Sequence, residues 1–332
     1  MANKSLHAAK DAKNDEFYTR IEDINEEMNH YEDKFRDKIV FCNCDDPKWS
    51  NFWKYFHLNF EYLGLRKLIT THYEDGEVQT YKIEYEGGND EDFEEGVITP
   101  LTQNGDFRSP ECLALLDEAD IVVTNPPFSL FREYVNILME HNKQFLIIGN
   151  MNALHYVEIF PLIMANKLWL GITSPKEFYQ PDGTIKKFGN ILWFTTLDHA
   201  KRHRNIDTTY LYSKRKELYP ELYPKFDNFD AINVNKLTEI PMDYEGIMGV
   251  PDTFLKVFNP EQYEILGRSG DTDWVLNECS FFTPPSEELC SFYKKYNKTW
   301  RIQNVYLLDK NKLPVIVYSR IFIRKKVGTN NG

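Results

Sequence analysis

The residues best placed to do chemistry in this chain are Asn125-Pro126-Pro127-Phe128, directly after the apolar run Ile121-Val122-Val123-Thr124. Two consecutive prolines remove two backbone donors and stiffen the turn. The Asn125 side-chain oxygen and the Pro126 carbonyl are thereby held as acceptors, with the Phe128 ring offering an apolar face beside them. An exocyclic NH2 on a planar ring needs this set, because its lone pair is delocalised and poorly nucleophilic. Two acceptors, each taking one N–H, draw the nitrogen toward tetrahedral geometry and localise the lone pair. The fit is then better to the transition state than to the ground state. With a sulfonium methyl as electrophile, no strong base is required before attack.

Such a turn needs a sheet to hold it. Lys38–Cys44, Leu65–Thr71, Asp120–Thr124 and Gln144–Met151 read as buried strands. Helical stretches are expected at Ile21–Asp37, Trp49–Leu58, Ser109–Asp117, Leu130–His141 and Leu154–Ala165. The alternation predicts βαβ units in an α/β fold with a parallel sheet. Ligands in such sheets bind beyond the carboxyl ends of the strands, which directs attention to Asp45-Asp46, Asp106-Phe107 and Asn125–Phe128. Glu74–Gly96 reads as an inserted hairpin rather than a core element, and Ile185–Leu197 as a second hairpin. After Lys201, turns, prolines and aromatics mix without a clear period. The expected organisation is a catalytic domain over 1–199 and a smaller irregular region over 200–332.

Composition bounds the partners. The 332 residues carry a net charge of −12 and are 42% hydrophobic, which fits a soluble globular protein and argues against a general nucleic-acid coat. The charge is unevenly spread. Glu74–Glu95 is strongly acidic, with Lys82 its one base, whereas Lys186, Lys187, Lys201, Arg202, Arg204, Lys214, Arg215 and Lys216 outnumber Asp198 and Asp207. One basic face can hold a polyanion, although each run by itself reads first as solvated surface. The 23 Phe, 20 Tyr and 6 Trp suit core packing and also surfaces that stack planar ligands. The five cysteines have neither zinc nor disulfide spacing, and His199 and His203 suggest no third ligand, so no metal is expected. Without an apolar leader or membrane-length run, a cytoplasmic protein is expected.

An Asn/Asp-Pro-Pro-aromatic turn after an apolar strand is the signature of amino-group methyltransferases. By itself it leaves adenine in DNA, adenine in RNA and the amide of glutamine open as acceptors. Further stretches occur in order: Asn14–Thr19, Cys42–Pro47, Gly105–Ser109, Thr124–Glu133, Phe145–Asn150, Ala231–Lys236 and Gly246–Leu255. Together they resemble the EcoRI-type adenine-specific DNA methyltransferase family, from about residue 14 to 266. The resemblance implies a Rossmann-like class I methyltransferase sheet with helices on both faces, followed by a target-recognition region. It implies S-adenosyl-L-methionine as cofactor and N6 of a flipped adenine in double-stranded DNA as acceptor. It also implies a monomer that serves a restriction–modification system, with no stable complex with the cognate restriction endonuclease.

Carried over by position, Asn125, Pro126, Pro127 and Phe128 form the target-adenine pocket. Asp106 and Phe107 hold the cofactor's adenine, by carboxylate and ring respectively. Phe17, Tyr18 and Thr19 close over the methionine end, while Asp45 and Asp46 pair with its ammonium. Glu74 is the candidate acid after the second strand, and Trp193 a candidate second stacking wall for the base. Lys201, Arg202, Arg204, Lys214, Arg215 and Lys216 are the expected phosphate contacts. One departure stands out: the turn after the first strand is Cys42–Pro47, not glycine-rich, and no GxGxxG occurs. Two other readings stay open, an RNA adenine methyltransferase and a catalytically silent DNA-binding module.

Overall fold

The structure, a computed structural model, describes residues 18–326 apart from 45, 75, 77, 91, 93, 94, 181, 182, 297, 298, 312 and 313. The chain divides into two compact units, residues 1–199 and 200–332. In the first unit a short strand β1 (Tyr18–Thr19) precedes β2 (Ile39–Cys42), β3 (Lys67–His72), β4 (Tyr81–Tyr85) and β5 (Val97–Pro100). Next come β6 (Ile121–Thr124), β7 (Gln144–Asn150), β8 (Trp169–Leu170), β9 (Glu177–Tyr179), β10 (Ile185–Lys187) and β11 (Ile191–Thr195). Eight of these form one mixed sheet in the order β5-β4-β3-β2-β6-β7-β11-β8. Its centre, β3-β2-β6-β7, is parallel, and the flanking strands are antiparallel.

Strands that are apolar at every position need cover on both faces, and the helices supply it. Val40, Cys42, Ile121, Val123, Leu146 and Ile148 pack with Ile24 and Met28 of α1 (Ile21–Met28) and with Phe52 and Trp53 of α2 (Asn51–Leu58). A short α3 (Phe60–Leu63) follows. On the opposite face, Phe131 of α5 (Phe131–Glu140) lies against Phe194, with ring centroids 5.0 Å apart. It leaves no room for a side chain at Gly149, where a Cβ would come within 2.4 Å of its ring. Between β5 and β6 runs α4 (Pro110–Glu118), where Ser109 accepts the Cys112 N–H and Pro110 occupies the first turn.

Three expectations are corrected. The helix anticipated over Leu154–Ala165 is a 3₁₀ turn at Met151–His155 and then α6 (Phe160–Met164), because Pro161 is tolerated only in a first turn. The acidic insertion does form a hairpin, β4 antiparallel to β5, but through β4 on β3 it extends the main sheet at its edge instead of standing apart from it. Ile185–Leu197 is not a hairpin: β10 pairs with β9, whereas β11 lies between β7 and β8.

The second unit has helices α7 (Tyr212–Leu218), α8 (Thr272–Asn277) and α9 (Glu287–Tyr296). Its strands are β12 (Ile232–Asn233), β13 (Met248–Val250), β14 (Tyr263–Arg268), β15 (Tyr306–Leu308), β16 (Pro314–Ile316) and β17 (Ile321–Lys325). A four-stranded sheet runs β12-β13-β17-β14, and β15 pairs with β16. Phe226, Phe229, Val275 and Phe322 form its core. Among the described residues, no helix is long and apolar enough to cross a membrane.

Candidate active site

From β2 the chain crosses to β3 on one side, then returns to place β6 on the other side of β2. The connections leaving the carboxyl ends of β2 and β6 therefore run to opposite sides, which makes this a topological switch point, the place where open α/β sheets bind ligands. Asn125 follows β6 there and is 9% exposed, with Pro126 buried behind it. Pro127 has φ −55° and ψ 124°, and its carbonyl accepts the Leu130 N–H at 2.9 Å. That bond turns the chain through the 3₁₀ segment Phe128–Leu130 into α5. Phe128 is half-buried and packs on the core that α1 and α2 share with the sheet. Its ring is thus anchored from behind.

The non-glycine turn after β2 is stiffened by threonines on neighbouring strands. Thr70 Oγ1 donates to the Cys42 carbonyl at 2.8 Å, and Thr71 Oγ1 to the Asn43 carbonyl at 3.4 Å. The Cys44 N–H donates to Thr124 Oγ1 at 3.2 Å, tying the ends of β2 and β6 together. Asn43 is 3% exposed, and its amide oxygen accepts the Tyr134 hydroxyl from α5. Asp46 takes the Lys48 N–H at 2.9 Å, and its other oxygen lies 3.2 Å from His72 Nδ1. His72 is stacked on Tyr81 of β4, so the acidic insertion also shapes this end of the sheet. Burial, then the Asp46 charge, raises the Tyr81 hydroxyl above its ordinary value.

Asp106 is brought to the same edge by Gly105. With φ +75°, Gly105 passes so close to β3 that a Cβ would stand 2.3 Å from the His72 carbonyl oxygen. Beside it, the Glu74 N–H donates to the Asn104 carbonyl at 3.1 Å. Asp46, Glu74, Asp106 and Asn125 therefore gather at the carboxyl ends of three adjacent strands, β3, β2 and β6. Arg108 grips Asp106 with a fork, Nε at 2.8 Å and Nη2 at 2.6 Å, and also reaches Glu133 of α5 at 3.3 Å. The hydrogen bond to Asp106 raises the guanidinium pKa further, so this charge is permanent.

Other expected residues fall differently. Tyr18 and Thr19 form β1, and the Thr19 carbonyl accepts Asn51 Nδ2 at 2.7 Å, which places them at the start of α2. Phe17 and Asp45 lie outside the described residues. Phe107 is not an open stacking platform: it is 6% exposed, edge-on to Tyr134, with Arg108 above its ring. Trp193 is not a stacking wall either. It is fully buried on the α2 side of β11, edge-on to Phe52, and its indole N–H reaches Thr173 at 3.2 Å. Thr173 in turn donates to Glu27, a fully buried carboxylate that also accepts Tyr31 and two backbone N–H groups.

Of the expected phosphate contacts, Arg202 is 9% exposed and so withdrawn from a surface role. Arg204, Lys214 and Lys216 are exposed, Lys201 is half-buried, and Arg215 lies over the rings of Tyr210 and Tyr219. Sequence reasoning missed Asn43, Tyr134 and Arg108 as the residues that brace the site. An asparagine closing an apolar strand, and an arginine two residues beyond Asp106, were the available signals.

The adenine-specific methyltransferase EcoRI family model matches residues 5–326. The Type II methyltransferase M.EcoRI of Escherichia coli is 44% identical, over 84% of this chain and 95% of its own. The Type II methyltransferase M.MgeORF184P of Mycoplasma genitalium is 40% identical, over 79% and 85%. M.MpnI of Mycoplasma pneumoniae, also a Type II methyltransferase, is 41% identical over 79% and 84%. No solved structure matches the chain.

Proposed function

The chain belongs to the EcoRI adenine-specific methyltransferase family, and on that premise we propose that it methylates N6 of an adenine flipped out of duplex DNA. The observation that carries the reading is the position of Asn125-Pro126-Pro127-Phe128 at the switch point, beside a braced β2 turn. The acceptor nitrogen is inert in a stacked pair, and unstacking costs a few kcal/mol. Contact with Phe128 offsets part of that, by roughly 1–3 kcal/mol for a base on an aromatic ring. Asn125 Oδ1 and the Pro126 carbonyl accept the two N–H groups and localise the lone pair toward the incoming carbon.

The donor set suits S-adenosylmethionine: carboxylates at Asp46, Glu74 and Asp106 line the ends of adjacent strands, where an ammonium, a ribose diol and an adenine amino group need acceptors. Bound there, the cofactor supplies an electrophilic methyl on a sulfonium. This chain's own part is to orient and to exclude. Thr124, Thr70 and Thr71 keep the β2 turn rigid without glycine. Arg108 holds Asp106 in place, with Phe107 as packing beneath the turn rather than a stacking face.

The doubly wound Rossmann-like assignment rests on the parallel order β3-β2-β6-β7 with helices on both faces. Phosphate contact falls to Arg204, Lys214 and Lys216, and residues 200–332 read the target. The relatives named Type II methyltransferases support a modification role in a restriction–modification system; the monomeric state, and action apart from the endonuclease, belong to this proposal alone. Incubation with tritiated S-adenosylmethionine and duplex DNA, then nucleoside analysis, tests the proposal. N6-methyladenine in the DNA is expected; DNA without label, or label confined to RNA when total RNA is incubated alongside it, overturns the reading.

A further inference from the structure

The second unit holds an arginine that the methyl-transfer reading leaves unused. Arg320 is 6% exposed at the entry to β17. Its Nε donates to Asn233 Oδ1 at 2.9 Å and its Nη2 to Asn235 Oδ1 at 3.2 Å. Nη1 donates to the carbonyls of Tyr318 and Ser319, at 3.2 and 3.3 Å. The backbone is held as well: the Arg320 N–H donates to Ser269 Oγ at 2.8 Å, and its carbonyl accepts the Ser269 N–H at 2.9 Å. These four side-chain partners are neutral oxygens, and burial pulls the guanidinium below its ordinary pKa. The nearby Asp252 charge offsets part of this, but burying a cation whose hydrogen bonds go to neutral oxygens costs stability, so the arrangement needs a reason.

The reason lies in what the arginine presents. The turn it clamps carries Tyr318, which is 91% exposed. An aromatic ring set in water on a rigid turn gives up little conformational freedom when it meets a partner, which suits an anchor for planar ligands. Asn235 stands beside it, exposed, with its amide oxygen accepting from both Arg320 and Asn233. With the oxygen held, the NH2 is the donor that this exposed side chain offers. Asn233 and Asn235 belong to Ala231–Lys236, a stretch with no place in the methyl-transfer chemistry.

We propose that the turn Val317–Arg320 with Asn235 is a base-contacting element of the second unit: Tyr318 stacks on a base of the distorted duplex, and Asn235 donates to a base edge. It rests on the DNA methyltransferase reading above. Stacking on an aromatic ring is tolerant of base identity, whereas a side-chain amide at a base edge discriminates. Loss of Tyr318 should thus weaken action at every target, and loss of Asn235 should relax the choice among targets.

The test first maps the sites that the wild-type chain methylates, by single-molecule sequencing of DNA from an expressing host. Methylation of a duplex carrying that site is then compared for wild type, Tyr318→Ala, Tyr318→Phe and Asn235→Ala. Cofactor binding and thermal unfolding are followed in parallel. Tyr318→Ala should lose about tenfold or more in kcat/KM with unchanged cofactor affinity and unfolding temperature, and Tyr318→Phe should restore it. Asn235→Ala should narrow the rate ratio between the mapped site and its single-base variants by about tenfold. Wild-type rates and ratios in Tyr318→Ala and Asn235→Ala overturn the proposal. So does a loss that Phe does not rescue. If the wild-type chain methylates no DNA, the functional reading fails first and this inference falls with it.

Discussion

Replacing Gly105 by Ala tests whether backbone geometry at β3 governs cofactor binding. The residue sits at φ +75°, which costs an L-amino acid roughly 1–2 kcal/mol. The larger effect is steric. The new Cβ would lie 2.3 Å from the His72 carbonyl oxygen, 3.0 Å from its carbon and 3.2 Å from Tyr73 Cα. A relaxed carbon–oxygen contact is about 3.3 Å or longer, so the turn must retreat by about 1 Å. All three atoms are backbone, so no side chain can swing aside to relieve it. A retreat of that size carries Asp106 away from the strand ends, and misplacement by about 1 Å can cost up to roughly a hundredfold in function.

The expectation is a tenfold to roughly hundredfold weaker affinity for S-adenosylmethionine, measured by isothermal titration below the unfolding temperature. Gly270→Ala is the matched control. Its φ is +85°, but nothing lies within 4 Å of a new Cβ. It should cost stability by the same roughly 1–2 kcal/mol and leave cofactor affinity untouched. Wild-type affinity in a folded Gly105→Ala protein would refute the argument, as would equal weakening by Gly270→Ala.

Asn125→Ala removes one of the two acceptors for the target amino group. It should lower kcat by about 10²–10³ while the cofactor Kd stays near wild type, which single-turnover methylation and titration together check. Lys214→Ala with Lys216→Ala should weaken DNA binding and flatten the plot of log K against log salt by about 1.8; an unchanged slope removes these lysines from the phosphate contacts. Acid stability should depend on Glu111, which accepts the Thr102 and Gln103 N–H groups at 3.0 and 2.7 Å. Burial alone would raise its pKa, but these hydrogen bonds outweigh it and hold the group below 4.5. A lowered folded-state pKa means that its contribution is full above 4.5 and fades as pH falls through the folded value. Glu111→Gln should therefore flatten the urea midpoint between about pH 5 and 3; an unchanged acid limb contradicts this.

The sequence by itself determined the chemistry and the frame that carries it. Asn125–Phe128 after an apolar strand is a local pattern, and strands alternating with helices fixes a parallel order with few alternatives. The helices expected over Trp49–Leu58 and Ser109–Asp117 fall within two residues of α2 and α4, whose first turns are capped by the local residues Ser50 and Ser109. Only tertiary structure decided which side of a buried strand meets the cleft. Alternation shows that Trp193 opposes Leu192 and Phe194, but both faces of this sheet are covered, so periodicity has no solvent side to point to. Phe107 and Arg202 were misread for a related reason, since burial depends on what arrives from elsewhere in the chain. In the second unit β13 pairs with β17 some seventy positions later in the chain, Val250 opposite Ile321. Pairings that distant leave no periodic trace in short strands, and the clamp of Arg320 on Asn233 and Asn235 exists only once they form.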